Sequence, residues 1–232
     1  MIFHKRPYDY SGFRLKRLGE PRFAHLRLLG GWLVYFLLYF LTENLIPAER
    51  CHPVHCFLDD LIPFNEWFLL FYAGWFLLVA GSLAFYLFYD PPRFTELQTF
   101  IMVTQAIAML CYIVWPSRQD LRPEFFGRDN LLTRAMAFVY AFDTSTGVCP
   151  SLHAAYSFGI LSVTSKDRDL PLWLRWATGV FVGMVCLSVC FVKQHSALDV
   201  AAAVPVALIA EWFVYHRKRK VRPDGPEPEA RP

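Results

Sequence analysis

Long apolar stretches alternate with short polar segments along most of the chain. Six of them approach the roughly 17–25 residues that an α-helix needs to cross a bilayer. They cover residues 28–46, 67–89, 97–115, 151–164, 176–192 and 198–215. The fourth is shorter than a full crossing, so we expect it to extend by a turn or to begin below the membrane surface. Because a bilayer offers no water to pair with backbone groups, the spans must be helical. The pattern predicts an all-α, polytopic membrane protein, a six-transmembrane-helix bundle.

Composition and charge give this bundle an orientation. Hydrophobic residues make up 55% of the 232-residue chain and charged residues only 19%, against about 25% in soluble proteins. With the amino terminus in the cytoplasm, 17 of the 23 Lys and Arg residues fall in the inner segments 1–27, 90–96, 165–175 and 216–232. Cytoplasmic loops carry an excess of positive residues. We therefore expect both termini in the cytoplasm, and the short loops favour a bacterial plasma membrane.

The chain divides into one membrane domain and two flanking segments. Residues 1–27 are basic and lack the apolar core and cleavage site of a signal peptide, so we expect a cytoplasmic N-terminal segment. Residues 28–215 form the six-helix domain. Residues 216–232 are rich in Pro and charge, which predicts a disordered cytoplasmic tail. The run "HRKRK" at 216–220 abuts the last span, so we expect it to contact inner lipid headgroups and not a nucleic acid.

Three polar clusters fall at the same membrane face when the spans are counted. They are "WPSRQDLRP" at 115–123, "CPSLH" at 149–153 and "CFVKQHSALD" at 190–199. All three lie on the extracytoplasmic side in the predicted topology. Ionisable residues inside membrane spans are functional more often than not. The coincidence predicts one shared site at the extracytoplasmic face.

Two histidines of this site have different neighbours in sequence. His195 and Asp199 are four residues apart and share a helix face if the sixth span begins by His195. A carboxylate beside an imidazole fixes its tautomer, which suits a nucleophile or a base. His153 has Ser157 at the corresponding position, and without an acidic partner it suits a general acid. A lone membrane histidine often only hydrogen-bonds a neighbouring helix, but two at one face indicate a site.

Positive groups surround these histidines in the sequence. Arg118, Arg122 and Lys193 are three of the six outward cations. Ser151 lies at a helix start, where free N–H groups and the helix dipole attract an anion. These groups predict a phosphate site more naturally than a metal site, and we expect neither a metal ion nor another cofactor.

Two loop segments allow simpler interpretations. Cys51 and Cys56 lie in "CHPVHC" in the first outer loop. Four ligands packed so closely cannot easily converge on one zinc ion, so a disulfide or two free thiols is expected. The segment "FGRDNLLTRAMAFVYAF", residues 126–142, has the pattern of an amphipathic interfacial helix.

The site residues resemble the motifs of the type 2 phosphatidic acid phosphatase superfamily, the lipid phosphate phosphatases. Its second motif, P-S-x-H, matches Pro150, Ser151 and His153. Its third, S-R-x5-H-x3-D, is matched by three residues, Ser188, His195 and Asp199. The end of its first, K-x6-R-P, is matched by Arg122 and Pro123. The resemblance covers residues 59–210.

Two positions depart from the family pattern. Trp115 stands where the first motif has Lys, and Val189 stands where the third has Arg. Lys193 and Arg118 are candidates to replace these phosphate-binding cations. This pattern of departures is similar to the inositol phosphorylceramide synthase-like branch of the superfamily.

The resemblance implies a metal-independent mechanism. His195 is expected to attack phosphorus and form a phosphohistidine, while Asp199 stabilises its ring and His153 protonates the leaving alkoxide. Ser151, Lys193, Arg122 and Arg118 are expected to bind the phosphate. The expected function is hydrolysis of a lipid phosphate or pyrophosphate held in the bilayer. The alternatives are a lipid phosphotransferase, in which an alcohol replaces water, and a non-catalytic membrane protein. The sequence indicates no particular oligomeric state.

Overall fold

The computed structural model describes residues 5–219, which are mostly helical. Their eight α-helices are α1 (Gly30–Leu45), α2 (Phe57–Leu61), α3 (Leu69–Tyr89), α4 (Pro91–Val114), α5 (Leu131–Phe142), α6 (Leu152–Lys166), α7 (Leu172–Phe191) and α8 (Ala197–Arg219). Short 3-10 helices cover Leu15–Arg17, Ala24–Leu29, Ala48–Arg50 and Glu66–Phe68. Two short parallel strands, β1 (His52–Pro53) and β2 (Ser117–Arg118), pair with His52 opposite Ser117. The predicted helical architecture is confirmed.

Five helical segments are long and apolar enough to cross a membrane. They are Ala24–Leu45, Glu66–Tyr89, Pro91–Val114, Leu172–Phe191 and Ala197–His216, and each overlaps one predicted span. The remaining predicted span forms α6, which has 15 residues. At about 1.5 Å per residue, α6 is about 22 Å long, shorter than the roughly 30 Å hydrocarbon core. The membrane character predicted from the sequence is compatible with these helices.

Consecutive long helices run in opposite directions, so the bundle has two ends. One end, here called the histidine end, gathers residues 46–66, 115–151 and 192–197. Hydrogen bonds join these segments: the Val54 N–H donates to Arg118 O, and the Ala197 N–H donates to Asp59 Oδ1, both at 2.8 Å. The three polar clusters identified in the sequence therefore do meet at one end of the bundle.

The opposite end is closed by ion pairs that hold the N-terminal segment. Lys5 Nζ lies 2.5 Å from Asp90 Oδ2 and 2.6 Å from Asp167 Oδ2. Lys166 Nζ lies 2.6 Å from Glu211 Oε1 and so joins α6 to α8. These pairs fix the positions of the α3–α4 and α6–α7 turns. The predicted disordered tail, 216–232, lies outside the described residues except for its first four, which continue α8.

The core is centred on α4 and α6. Ile101 and Ile160 are fully buried between them. Gly159 of α6 allows close approach, because a Cβ added there would lie 2.5 Å from the Phe100 ring of α4. In contrast, α1 buries no residue and exposes an apolar row that includes Leu33, Leu37 and Phe40. The central pair is thus rigidly packed, and α1 presents an apolar face to its surroundings.

The structure shows what the two loop segments form, while the interfacial position of the first stays a prediction. The segment predicted as an amphipathic helix forms α5, whose first turn is capped by Asn130. The Asn130 side chain accepts hydrogen bonds from the N–H groups of Leu132 and Thr133. Cys51 and Cys56 are free thiols, one of the two alternatives left open by the sequence.

Candidate active site

His195 and Asp199 lie where α7 passes into α8. Helix α8 begins at Ala197, two residues after His195, yet the two side chains still meet because the backbone turns there. Asp199 Oδ2 is 3.2 Å from His195 Nδ1, and it also accepts the Ser196 N–H at 3.0 Å. Asp199 is fully buried. An ionised carboxylate in this position holds the proton on Nδ1 and leaves the lone pair on Nε2.

His153 reaches the other side of His195 from the first turn of α6. His153 Nδ1 lies 3.4 Å from His195 Nε2, although the two residues are 42 positions apart. Two rings of α3 fix the imidazole of His153: the centroids of Trp75 and Tyr72 lie 4.2 Å and 4.9 Å from it. The three predicted catalytic residues therefore form one contiguous group.

Ser151 starts α6 and joins it to α8. Its Oγ accepts the Ala154 N–H at 3.4 Å, as expected of an N-cap residue. Its own N–H donates to Asp199 O at 3.0 Å. The positive end of the α6 dipole consequently lies beside the histidine pair.

Asp59 anchors the turn that carries His195, a role the sequence motifs did not predict. Asp59 Oδ2 accepts the Ser196 hydroxyl at 2.5 Å and the Cys56 N–H at 2.8 Å, and Oδ1 accepts the Ala197 N–H at 2.8 Å. Burial opposes ionisation of Asp59, but these hydrogen bonds outweigh it, and the pKa is lowered. Asp59 therefore caps α8 from the short helix α2. The only signal in the sequence was the acidic doublet before "LIPF".

A second carboxylate, also missed from the sequence, lies near the histidine pair. Asp143 Oδ2 accepts hydrogen bonds from Gln194 Nε2 at 3.0 Å and from the Tyr72 hydroxyl at 3.3 Å. Burial raises the pKa of Asp143, while the charges of Arg122 and His195 oppose that shift. Asp143 follows α5 in a loop without a recognisable motif, so only the tertiary structure identifies it.

Arg122 is linked to the site through Gln194. Its guanidinium donates to Gln194 Oε1 at 2.6 Å. It also donates to the carbonyl oxygens of Tyr140, Asp143 and Thr144 at 3.2, 2.9 and 2.8 Å. Arg122 thus orders the loop after α5 and brings positive charge to the residue next to His195.

The two candidate replacement cations point elsewhere. Lys193 Nζ donates to the carbonyl oxygens of Asp59 (2.8 Å) and Ile62 (2.5 Å). Its backbone has a φ of 54°, a conformation that is unfavourable for a residue with a Cβ. Arg118 donates to Ala48 O at 3.0 Å. Neither cation hydrogen-bonds a histidine in the described structure, so their phosphate-binding role stays a prediction.

The two positions at which the sequence differs from the motifs that it resembles have packing roles. Trp115 stacks on His52 with ring centroids 5.2 Å apart. Val189 is fully buried and packs beside Leu69 and Met136. A cation at either position would lose these contacts, so the departures form part of the packing of the histidine end.

An apolar groove of about 400 Å³ lies between α4 and α8. Its lining is Leu110, Cys111, Val114, Trp115, Cys149, Pro150, Ala202 and Val206. Burial, followed by the neighbouring charge of Asp199, raises the pKa of Cys149 to about 12, so this thiol is neutral. Neither His153 nor His195 lines the groove, so it is separate from the contact between the two histidines.

Potential metal ligands gather at the other end of the bundle. Within residues 5–219, one group of three acidic, His or Cys side chains is close enough to share an ion: Asp90, Asp167 and Asp169. The Lys5 ammonium lies among them, 3.9 Å from the Asp169 carboxylate. This group is an ion-pair cluster remote from the histidines.

The structure thus sorts the predicted site residues into three sets. His153, His195, Asp199 and Ser151 lie together, Arg122 is linked to them through Gln194, and Lys193 and Arg118 bind carbonyl groups elsewhere. No family model matches the chain, and neither a curated protein nor a solved structure is significantly similar to it. The function is therefore inferred from the motifs and the geometry.

Proposed function

We propose that the protein is a membrane-embedded phosphatase that hydrolyses a lipid phosphate or pyrophosphate, and that it belongs to the type 2 phosphatidic acid phosphatase superfamily. One observation carries the proposal: His153 of α6 and His195 of the α7–α8 turn meet at 3.4 Å, and His195 is held by a buried carboxylate. A structural histidine needs one partner, whereas this arrangement supplies a nucleophile, its orienting group and a second proton carrier.

The reaction begins with attack of His195 Nε2 on phosphorus, in line with the bond to the lipid oxygen. That P–O bond breaks, and protonated His153 gives its proton to the leaving alkoxide. Asp199 stabilises the positive charge on the phosphorylated ring. His153 then takes a proton from water, whose oxygen attacks phosphorus and breaks the P–N bond, releasing inorganic phosphate. Because the two ring nitrogens are in contact, a substrate must separate them as it enters.

Charge on the phosphoryl oxygens is neutralised by groups around the pair. The first turn of α6, capped by Ser151, contributes backbone N–H groups and the helix dipole. Arg122 contributes positive charge through Gln194. Lys193 and Arg118 can bind the phosphoryl oxygens only if their side chains leave the carbonyl groups to which they now donate.

The proposed topology has six spans, with both termini in the cytoplasm and the histidine end on the extracytoplasmic side of a bacterial plasma membrane. The distribution of positive residues supports this orientation. The 15-residue α6 supports a site recessed below the membrane surface. A lipid phosphate can then reach His195 while its chains stay in the bilayer.

Phosphotransfer to an alcohol is the second candidate, and the burial of His195 favours it. His195 is only 7% exposed, so little water can surround a phosphohistidine formed there. An alcohol bound beside His153 would then replace water in the second step. The residues and the first step are the same in both reactions.

The test is phosphate release from a panel of lipid phosphates by purified protein in detergent with EDTA present. The panel includes a diacylglycerol phosphate, a phosphatidylglycerol phosphate and a polyprenyl pyrophosphate. We expect release by the wild type and by His55→Ala, which alters an exposed histidine at the same end, and none by His195→Ala. A new phospholipid formed when alcohols are added would identify the transferase instead. Release that His195→Ala leaves unchanged would refute the proposal.

A further inference from the structure

The side chain of Gln194, the residue before His195, is held at both ends of its amide. It is only 4% exposed. Its Oε1 accepts a hydrogen bond from the Arg122 guanidinium at 2.6 Å. Its Nε2 donates to Asp143 Oδ2 at 3.0 Å and to the Tyr72 hydroxyl at 3.3 Å. The amide therefore joins the α7–α8 turn to α3 and to the loops on both sides of α5.

The two charged partners require an amide between them. The Arg122 guanidinium can only donate hydrogen bonds, and an ionised carboxylate such as that of Asp143 can only accept them. A side chain that bridges the two must accept on one side and donate on the other. The amide of Gln194 has a carbonyl oxygen and an NH2 group on the same carbon, so it meets both requirements. A carboxylate or an apolar side chain of similar length would not.

The bridge reaches both histidines of the site. Gln194 is joined to His195 through the backbone. On the other side, the Tyr72 hydroxyl donates to the same Asp143 Oδ2 that Gln194 contacts, at 3.3 Å, and the Tyr72 ring stacks on His153 with centroids 4.9 Å apart. Asp143 Oδ2 is thus the common acceptor of two groups, one beside each histidine.

Two anchors hold the turn on either side of His195. Asp59 holds the residues that follow it, and the Gln194 amide holds the residue that precedes it. His195 Nε2 lies 3.4 Å from His153 Nδ1, so a small rotation of the turn changes the direction from which His195 attacks. A displacement of about 1 Å from the reactive geometry can cost about 10²-fold in rate.

We propose that Gln194 is a positioning residue for phosphoryl transfer, and that its amide, bridging Arg122 and Asp143, fixes the direction of His195 Nε2 relative to His153. The inference rests on the proposed function, because it takes His195 as the nucleophile. Gln194 is not one of the matched motif residues, and it acts through His195 and not on the substrate.

The first test compares Gln194→Met with Gln98→Met, which removes another buried amide. The Gln98 amide accepts from Trp32 Nε1 at 3.1 Å and donates to Leu28 O at 3.3 Å, toward the opposite end of the bundle. With the lipid phosphate that the wild type hydrolyses fastest, we expect Gln194→Met to lower kcat by about 10–100-fold and to leave KM nearly unchanged. Gln98→Met should retain the wild-type kcat. Equal kcat values in the two variants would overturn the inference.

An exchange of donor and acceptor separates positioning from packing. Gln194→Glu still accepts from Arg122 but presents an acceptor to Asp143, so kcat should fall as it does in Gln194→Met. Adding Asp143→Asn supplies the missing donor and restores the bridge in the reverse sense. We expect the double variant to recover about tenfold in kcat over Gln194→Glu, a coupling typical of residues in direct contact. Additive losses from the two changes would overturn the inference.

A chemical probe separates the inference from the proposed reaction. Purified protein in detergent, without lipid phosphate, is treated with diethyl pyrocarbonate, which modifies imidazole nitrogens, and each histidine is followed by peptide mass spectrometry. His195 is 7% exposed, and exposed His55 serves as the internal standard. We expect His195 to react several-fold faster in Gln194→Met and Gln194→Glu than in the wild type, and at the wild-type rate in Gln98→Met.

The outcomes of this probe are distinct from those of the activity assay. Equal modification of His195 in the wild type and Gln194→Met would overturn the inference, even in an active enzyme. Faster modification in a protein that hydrolyses no lipid phosphate would sustain the positioning of His195 by Gln194 and count only against the proposed function.

Discussion

Replacing Asp59 by alanine should destabilise the protein and displace His195, because Asp59 is the anchor of the α7–α8 turn. The carboxylate accepts three hydrogen bonds, from Ser196, Ala197 and Cys56, at 2.5–2.8 Å, and the residue is 3% exposed. A hydrogen bond to a charged group contributes about 1.5–3 kcal/mol, and removing one member of a buried network costs about 3–5 kcal/mol in total. We expect a loss of about 3–5 kcal/mol, which for a chain of this size is a fall in Tm on the order of 10 °C.

The assay is thermal unfolding in detergent, followed by tryptophan fluorescence, with Asp60→Ala as the matched control. Asp60 is the neighbouring acid, but it is exposed and pairs with exposed His55, at 2.8 Å. We expect Asp60→Ala to change the Tm by less than about 2 °C. Asp59→Asn keeps one acceptor oxygen, so its Tm should lie between those of Asp59→Ala and Asp60→Ala. Equal melting of Asp59→Ala and Asp60→Ala would refute the view that Asp59 holds this turn.

Three further changes test other parts of the site. Asp199→Asn should lower kcat by about 10³–10⁴-fold, because the amide no longer selects the Nδ1-protonated ring of His195; activity within tenfold of the Asp120→Asn control would contradict this. Burial raises the pKa of Asp143 in the folded protein above its unfolded value of about 3.9. The protonated carboxyl therefore contributes its full share to the free energy of unfolding below the unfolded pKa, and this contribution is lost as the pH rises through the folded pKa. The Asp143→Asn side chain stays neutral, so the Tm of this variant should rise relative to that of the wild type between pH 4 and pH 8. A constant difference in Tm over that range would count against a raised pKa of Asp143. Lys193→Met should lower stability by about 1–3 kcal/mol, because two buried carbonyl groups lose their donor, and should leave KM within about twofold; a tenfold rise in KM would show that the ammonium binds phosphate.

The broad architecture was predictable because membrane helices are long and uniformly apolar. The apolar stretches located five membrane-length helices, and α6 differs from its predicted range by only a residue or two at each end. The contact of His195 with Asp199 was also predicted from their spacing, but on the premise that the helix includes His195. Because α8 begins at Ala197, the turn before the helix brings the two side chains together instead.

The sequence did not predict several of the tertiary contacts. Nothing local indicates that Asp59 of α2 caps α8, because 138 positions separate Asp59 from Ala197 and the bundle must form before they meet. Asp143 likewise acquires its role only when the loop after α5 folds against Gln194. Lys193 was expected at the phosphate because of its position beside His195, but its positive φ turns the side chain toward Asp59 and Ile62. Proximity in sequence predicted which residues gather at the histidine end but not which way each side chain points.

The central claim, a phosphohistidine formed at His195 beside His153, is tested most directly by trapping it. Purified wild type, His153→Ala and His195→Ala are mixed with a lipid carrying radiolabelled phosphate and quenched within milliseconds to seconds. We predict protein-bound label that is stable in alkali and labile in acid, as expected of a phosphohistidine. It should form in the wild type and be absent from His195→Ala. In His153→Ala both its formation and its loss should be slower, because His153 first protonates the leaving alkoxide and then activates water. Label of the same amount and stability in His195→Ala, or turnover without any labelled protein, would contradict the account.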